Sequence, residues 1–208
     1  MTKTLTLLMA FVALATVVSC GKDDPNPENL TIDETNLAPL ILNAYIIDDG
    51  YNPVRAEGTP NTKYTKFYLT DGEFTFTTEG EIAEYTYGDL ELKIYIDVET
   101  EGTEFTIGEY DMYEYCSGNQ PTRGVTVNAS WFDGEFDYYY GHDGGSVTIT
   151  GTDNTYTLSF DGLMNDYSGV SRIEGCASYP NVEISGKIRK NFTPISEEVY
   201  YNWYYGLQ

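Results

Sequence analysis

The sequence predicts an all-β fold, a single antiparallel β-barrel or β-sandwich. Three observations carry that expectation. Apolar residues recur at every second position through most of the chain, the period of a half-buried strand rather than of a helix. Short turn signals separate these runs at Asp71-Gly72, Gly88-Asp89, Gly144-Gly145 and Asp161-Gly162. No stretch beyond residue 36 shows a long 3.6-residue period, and many short strands with regular turns suit a barrel or sandwich.

LILNAYII (40–47) is apolar on both faces and reads as a central strand or the first strand of a closed sheet. KFYLTD (66–71) and EFTFTT (73–78) alternate more weakly. In LELKIYIDV (90–98), Leu90, Leu92, Ile94, Ile96 and Val98 fall on one face, with Glu91, Lys93 and Asp97 on the other. GVTVNASWF repeats the pattern with Val125, Val127, Ala129 and Trp131. SVTIT, TYTLSF and VEISGKI continue it through Val147 and Ile149, through Tyr156, Leu158 and Phe160, and through Val182, Ile184 and Ile188. Gly151-Thr-Asp-Asn154 lies between two such runs and predicts a tight hairpin. At the end of the chain, Ser196 as cap, Glu197 and Glu198 in a first turn and Gly206 as stop favour a short helix. VYYNWYY is rich in strand formers, so both readings stay open there.

The beginning of the chain follows a different logic. Lys3 is the only charged residue before Cys20, and Leu5–Val18 is apolar apart from Thr6 and Thr16. A basic start and a short apolar run make a signal peptide, and the run is short of the about 20 apolar residues that a membrane span needs. Acidic residues follow it, against a stop-transfer segment. Val17-Val18-Ser19-Cys20 resembles the bacterial lipobox. The resemblance implies diacylglyceryl transfer to the Cys20 thiol, cleavage just before it, and acylation of the new amino terminus. Two or more acyl chains give stable anchoring where one does not, so no transmembrane helix is required. Gly21-Lys22-Asp23-Asp24 resembles the export signal of surface lipoproteins in certain Gram-negative gut bacteria, which implies an outer-membrane protein facing the cell exterior. The expected organisation is a signal peptide over 1–19, a lipidated acidic tether over 20–36 and an all-β domain over 37–208. The tether reading rests on five acids, two prolines and no aromatic residue in 21–36.

Cleavage removes 19 of the 208 residues and leaves 189, enough for one domain with a real core. The 20 tyrosines and nine phenylalanines raise the burial available per residue, so the chain is no disordered acidic polymer. Its net charge is −22, which becomes −23 once Lys3 is lost. Such a chain repels phosphate backbones, so nucleic acid is not an expected partner. With Cys20 lipidated, Cys116 and Cys176 remain as an even pair in an oxidising compartment, where a disulfide is favoured over two free thiols. Its loop of about 60 residues would be worth roughly 4 kcal/mol in the chain-entropy model.

Chemistry-bearing motifs are sparse. The one histidine, His142 in YYYGHDGGS, reads as a surface-loop residue, since no G-x-S-x-G elbow accompanies it. One histidine and no C-x-x-C argue against a zinc site. Asp133, Glu135, Asp137 and Asp143 supply oxygens at nearly alternate positions but do not fit the EF-hand loop, and read as a solvated acidic loop. No cofactor is expected. The aromatic clusters are more informative. In a strand, Tyr138 and Tyr140 share one face and Tyr139 takes the other, so at least one ring is exposed. Trp131 and Trp203 join them as candidate ligand-binding residues, because an aromatic ring offers a flat apolar face, with a polar handle on Tyr and Trp. Sheet packing uses the same residues, and both roles stay open.

FTIGEYD (105–111), GGSVTITGTDNTYTLSFDG (144–162) and EISGKI (183–188) resemble the meander of small lipocalin- or calycin-like β-barrel lipoproteins of the same bacteria. The resemblance implies a barrel and carries no site residues with it. The functional expectation is a noncatalytic, lipid-anchored surface protein that binds a glycan or another envelope protein. The alternatives are an assembly component, such as a fimbrial accessory subunit pairing through an edge strand, and a glycoside hydrolase using paired carboxylates.

Overall fold

The computed structural model describes residues 28–52, 62–113, 124–167 and 181–206. Cys20, Cys116 and Cys176 lie outside the described residues, and with them the lipidation and disulfide expectations. The chain is all-β with one C-terminal helix. Its strands are β1 (Thr31–Ile32), β2 (Thr35–Asn36), β3 (Asn43–Asn52), β4 (Thr62–Thr70), β5 (Glu73–Phe76), β6 (Ile82–Thr86) and β7 (Lys93–Glu101), followed by β8 (Gly108–Met112), β9 (Gly124–Phe132), β10 (Asp137–Thr152), β11 (Thr155–Asp166), β12 (Asn181–Asn191) and β13 (Thr193–Ser196); α1 spans Glu197–Gly206.

One sheet holds eleven strands in the order β13-β3-β4-β7-β9-β8-β10-β11-β12-β1-β2, and β5 and β6 form a separate hairpin. The first part of β10 (Asp137–Gly141) pairs with β9 and its later part (Ser146–Ile149) with β8. The ladder is not closed by hydrogen bonds, yet the chain links its two sides: β12, third from one end, continues past Phe192 into β13, the strand at the other end, which pairs with β3. The sheet wraps over a filled interior, where Phe67 of β4 meets Tyr156 of β11 and Phe192 edge-on, with centroids 5.5 and 5.2 Å away. Pairing is antiparallel except where β13 meets β3 and β8 meets β9, which run parallel.

The alternating faces land as their period dictates. Ile94, Ile96 and Val98, with Val125, Val127 and Ala129, and with Leu158, Ile184 and Ile188, form one interior cluster. The Asp-Asn hairpin forms between β10 and β11, with Asp153 and Asn154 both at positive φ, 52° and 63°, as a two-residue turn between right-twisted strands requires. Two expected turns are something else. Gly144-Gly145 is a bulge inside β10, and Gly162 lies inside β11 directly opposite Gly145. Gly145 has φ +102°, and a Cβ there would sit 2.1 Å from the Gly162 Cα, so the bulge tolerates only glycine.

Two further boundaries differ from expectation. Ordered structure begins before Leu37: β1 pairs with β12, the Asn29 Oδ1 accepts from the Lys187 amide at 2.7 Å, and Leu30 and Ile32 are fully buried. Residues 28–36 therefore belong to the fold, because they seal apolar surface at the β12 side of the sheet. At the other boundary, Leu90 and Leu92 precede β7 rather than open it. Their amides donate to Asp71 Oδ2 and Oδ1, each at 2.8 Å, which holds the chain in a bend.

The two-faced apolarity of β3 has a direct cause. Ala44 and Ile46 face the interior, while Tyr45 and Ile47 face a second layer built from the β5–β6 hairpin and α1. Tyr68 and Tyr95, outward on β4 and β7, stack at 4.7 Å and 5° in this layer, and Phe74, Tyr200 and Trp203 close over them. Hydroxyls tie the layers together: Tyr85 Oη lies 2.7 Å from both Tyr68 Oη and Thr70 Oγ1, and the Phe74 amide donates to Tyr45 Oη at 2.9 Å. The helix reading of the last segment is the one realised, since Val199, Tyr200 and Trp203 fall on one helical side over that layer.

Candidate functional site

The hairpin from β9 to β10 gathers most of the candidate ligand-binding residues. Register pairs Trp131 with Tyr138 and Ala129 with Tyr140. Cross-strand neighbours share a face, so the Trp131 ring stacks on Tyr138 at 5.2 Å and 13° and on Tyr140 at 5.1 Å and 12°. Trp131 is 8% exposed and belongs to the interior cluster, with Tyr138 and Tyr140 half-buried against it. Tyr139 points to the opposite face and is 49% exposed, and Phe136 at the strand entrance is 57% exposed.

The hairpin tip is built around one carboxylate. Asp133 Oδ1 accepts from the Glu135 and Phe136 amides at 2.9 and 2.8 Å, and its Oδ2 accepts from the Tyr138 hydroxyl at 2.9 Å. These donors, the Phe136 amide foremost, hold the Asp133 carboxyl below its ordinary pKa. The same bond raises Tyr138, because its phenol would lose a proton beside an anion. Tyr140 is raised chiefly by burial, and next by the carboxylates of Asp166 and Asp33. The tip thus offers rings in two orientations around a carboxylate whose ionised form its own turn favours.

The other candidates are placed differently. Trp203 is not near this hairpin. It lies on α1, edge-on to Phe74 at 4.8 Å and tilted against Tyr85 at 5.7 Å, joining the helix to the β5–β6 hairpin. His142 is not a loop residue: it lies within β10 opposite Met164, half-buried, and desolvation lowers its pKa. Of the acidic loop, Asp133 serves as the acceptor of its own turn. Among the described residues, no three His, Cys, Asp or Glu side chains converge as metal ligands would.

Two features have no clear signal in the residue order. Glu99 is 5% exposed, with its carboxylate oxygens bonded by the Tyr64 and Tyr113 hydroxyls at 3.1 and 2.6 Å. It sits at a polar position of an alternating strand, so nothing in the pattern marks it for burial. The second is the set of exposed rings Tyr87, Tyr204 and Tyr205. Density of tyrosine in the last segment signals an aromatic surface, but only the helical period shows which rings remain outside.

Among the described residues, no helix is long and apolar enough to cross a membrane. Comparison with protein-family models, with curated proteins and with solved structures gives no match.

Proposed function

We propose that this is a lipid-anchored cell-envelope protein that binds an extracellular glycan without catalysis, through the tip of its β9–β10 hairpin. The observation that carries the reading is the aromatic arrangement there: half-buried Tyr138 and Tyr140 are fixed by stacking on Trp131, Phe136 is exposed at the strand entrance, and Tyr139 is exposed on the opposite face. Rigid rings stack on the C–H faces of sugars at little entropic cost, and an ionised carboxylate such as Asp133 accepts from sugar hydroxyls. The filled interior directs binding to the outer surface. The lipobox-like Cys20 supplies the anchor, and residue 28 already belongs to the fold. Seven residues, 21–27, then separate lipid and domain, a reach of about 28 Å at full extension, which keeps the domain close to the envelope.

The test uses the chain from residue 21 onward, without the lipid, in affinity electrophoresis through a panel of neutral and acidic polysaccharides. Retardation by at least one glycan is expected, and Phe136→Ala combined with Tyr139→Ala should weaken it several-fold with melting unchanged. Migration unaffected by every glycan removes the glycan reading. Incorporation of labelled palmitate, lost in Cys20→Ala, tests the anchor separately.

A further inference from the structure

A second surface lies away from the hairpin. Helix α1 packs Val199, Tyr200, Tyr201 and Trp203 against the second layer and leaves its Glu197, Glu198, Tyr204 and Tyr205 exposed. The exposed set opens with Glu197 and Glu198 and closes with Tyr204 and Tyr205, 48% and 62% exposed. Tyr204 and Tyr205 meet at 5.1 Å and 88°, a right-angled corner of two phenol rings. Tyr87, 55% exposed, lies elsewhere on the same second layer, edge-on to Tyr85 at 4.9 Å.

The charged side chains of α1 itself have one sign. The first turn of α1 is acidic, its last turn carries no basic residue, and the chain as a whole is at −22. The carbonyl end of the helix, at Tyr204–Gly206, adds the negative pole of the macrodipole. Rings of this layer already receive ammonium groups: Lys93 Nζ lies 4.6 Å from the Tyr87 centroid, and Lys66 Nζ lies 5.6 and 5.8 Å from Tyr95 and Tyr200. Aromatic faces, carboxylates and a helix carboxyl end all favour a cation. A neutral sugar would gain the ring contacts and nothing from the field, and a polyanion would be repelled.

We propose that the solvent side of α1, from Glu197 to the Tyr204–Tyr205 corner, docks a lysine- and arginine-bearing segment of another protein. Basic side chains lie over the phenol rings, and their charges are met by Glu197, Glu198 and the helix end. This surface is independent of the glycan reading, which concerns the other hairpin.

The probe is a fluorescent twelve-residue peptide with lysine and arginine at alternate positions. Its control has acetyl-lysine and citrulline in their place. Both are titrated by anisotropy against the chain from residue 21 at 50 and 150 mM salt. The basic peptide should bind, more weakly at the higher salt, and the neutral control should not. Tyr204→Ala with Tyr205→Ala should weaken binding about tenfold, as expected for two exposed cation–π contacts and lost contact area. Glu197→Gln with Glu198→Gln preserves shape and should weaken it several-fold; Asp153→Asn, on the β10–β11 turn outside this surface, should not change it. If the α1 variants bind as tightly as the parent, the attraction is only that of a diffuse negative surface and the proposal falls. It falls equally if the neutral control binds as well as the basic peptide. If the tyrosine pair perturbs melting, the glutamine pair decides alone.

Discussion

Raising the pH above 10 should dismantle the second layer, with Tyr95 as the clearest contributor. Burial raises its phenol from the ordinary 10.0 to about 12, and Tyr68 and Tyr200 are raised further for the same principal reason. Below pH 10 the phenol is neutral in both folded and unfolded chains, so its contribution to stability is fully present. Between pH 10 and 12 the unfolded chain releases the proton and the folded chain keeps it, so each pH unit removes about 1.4 kcal/mol per such tyrosine. Tyr95 alone accounts for about 3 kcal/mol by pH 12, and Tyr68 and Tyr200 steepen the fall. Against a total stability of about 5–15 kcal/mol, the protein should unfold before pH 12. The phenolate absorbance of these rings would then appear in one cooperative step. The assay is guanidinium denaturation at intervals from pH 8 to 11.5, on the parent and on Tyr95→Phe. The variant keeps the ring and its stacking on Tyr68, so at pH 8 its stability should lie within about 1 kcal/mol of the parent. Between pH 9 and 11.5 it should lose about 2 kcal/mol less than the parent. Parallel curves for the two proteins, or parent stability that stays flat to pH 11.5, would refute the reasoning.

Two further predictions concern the backbone. Asp71→Ala strips two carboxylate acceptors from the Leu90 and Leu92 amides and should cost about 3 kcal/mol, with faster hydrogen exchange at those two amides as its local signature. Gly145→Ala adds a Cβ against the Gly162 backbone in a left-handed conformation and should cost about 3 kcal/mol or more. Gly134→Ala, at φ +98° with nothing within 4 Å of the added carbon, should cost only about 1 kcal/mol. Equal melting temperatures for the two variants would show that the bulge can move.

Much of this architecture is legible in the order of the residues. The period of two fixes which side chains of β7, β9, β11 and β12 face the core, because successive strand residues point to opposite faces whatever the neighbours are. The same rule separates Tyr139 from Tyr138 and Tyr140. Asp153-Asn154 announces its turn because those residue types tolerate positive φ. The paired glycines Gly145 and Gly162 mislead, since a glycine required by close strand contact looks, in sequence, like a glycine required by a turn. Trp203 looks like its fellow candidate Trp131, yet one is bound into a helix over the second layer and the other into the interior stack.

The sequence by itself determined strand character, facing, the sign of the surface and the segment resembling a lipid attachment signal, all of which depend on local order along the chain. Tertiary structure alone decided that β12 continues through Phe192 into β13 at the opposite end of the sheet, that residues 28–36 return to pair with β12, and that Tyr64 and Tyr113 close on Glu99. Each of these brings together groups far apart in sequence. Their encounter is governed by how a twisted sheet curls over its own apolar face, and a periodic pattern carries no record of that curvature.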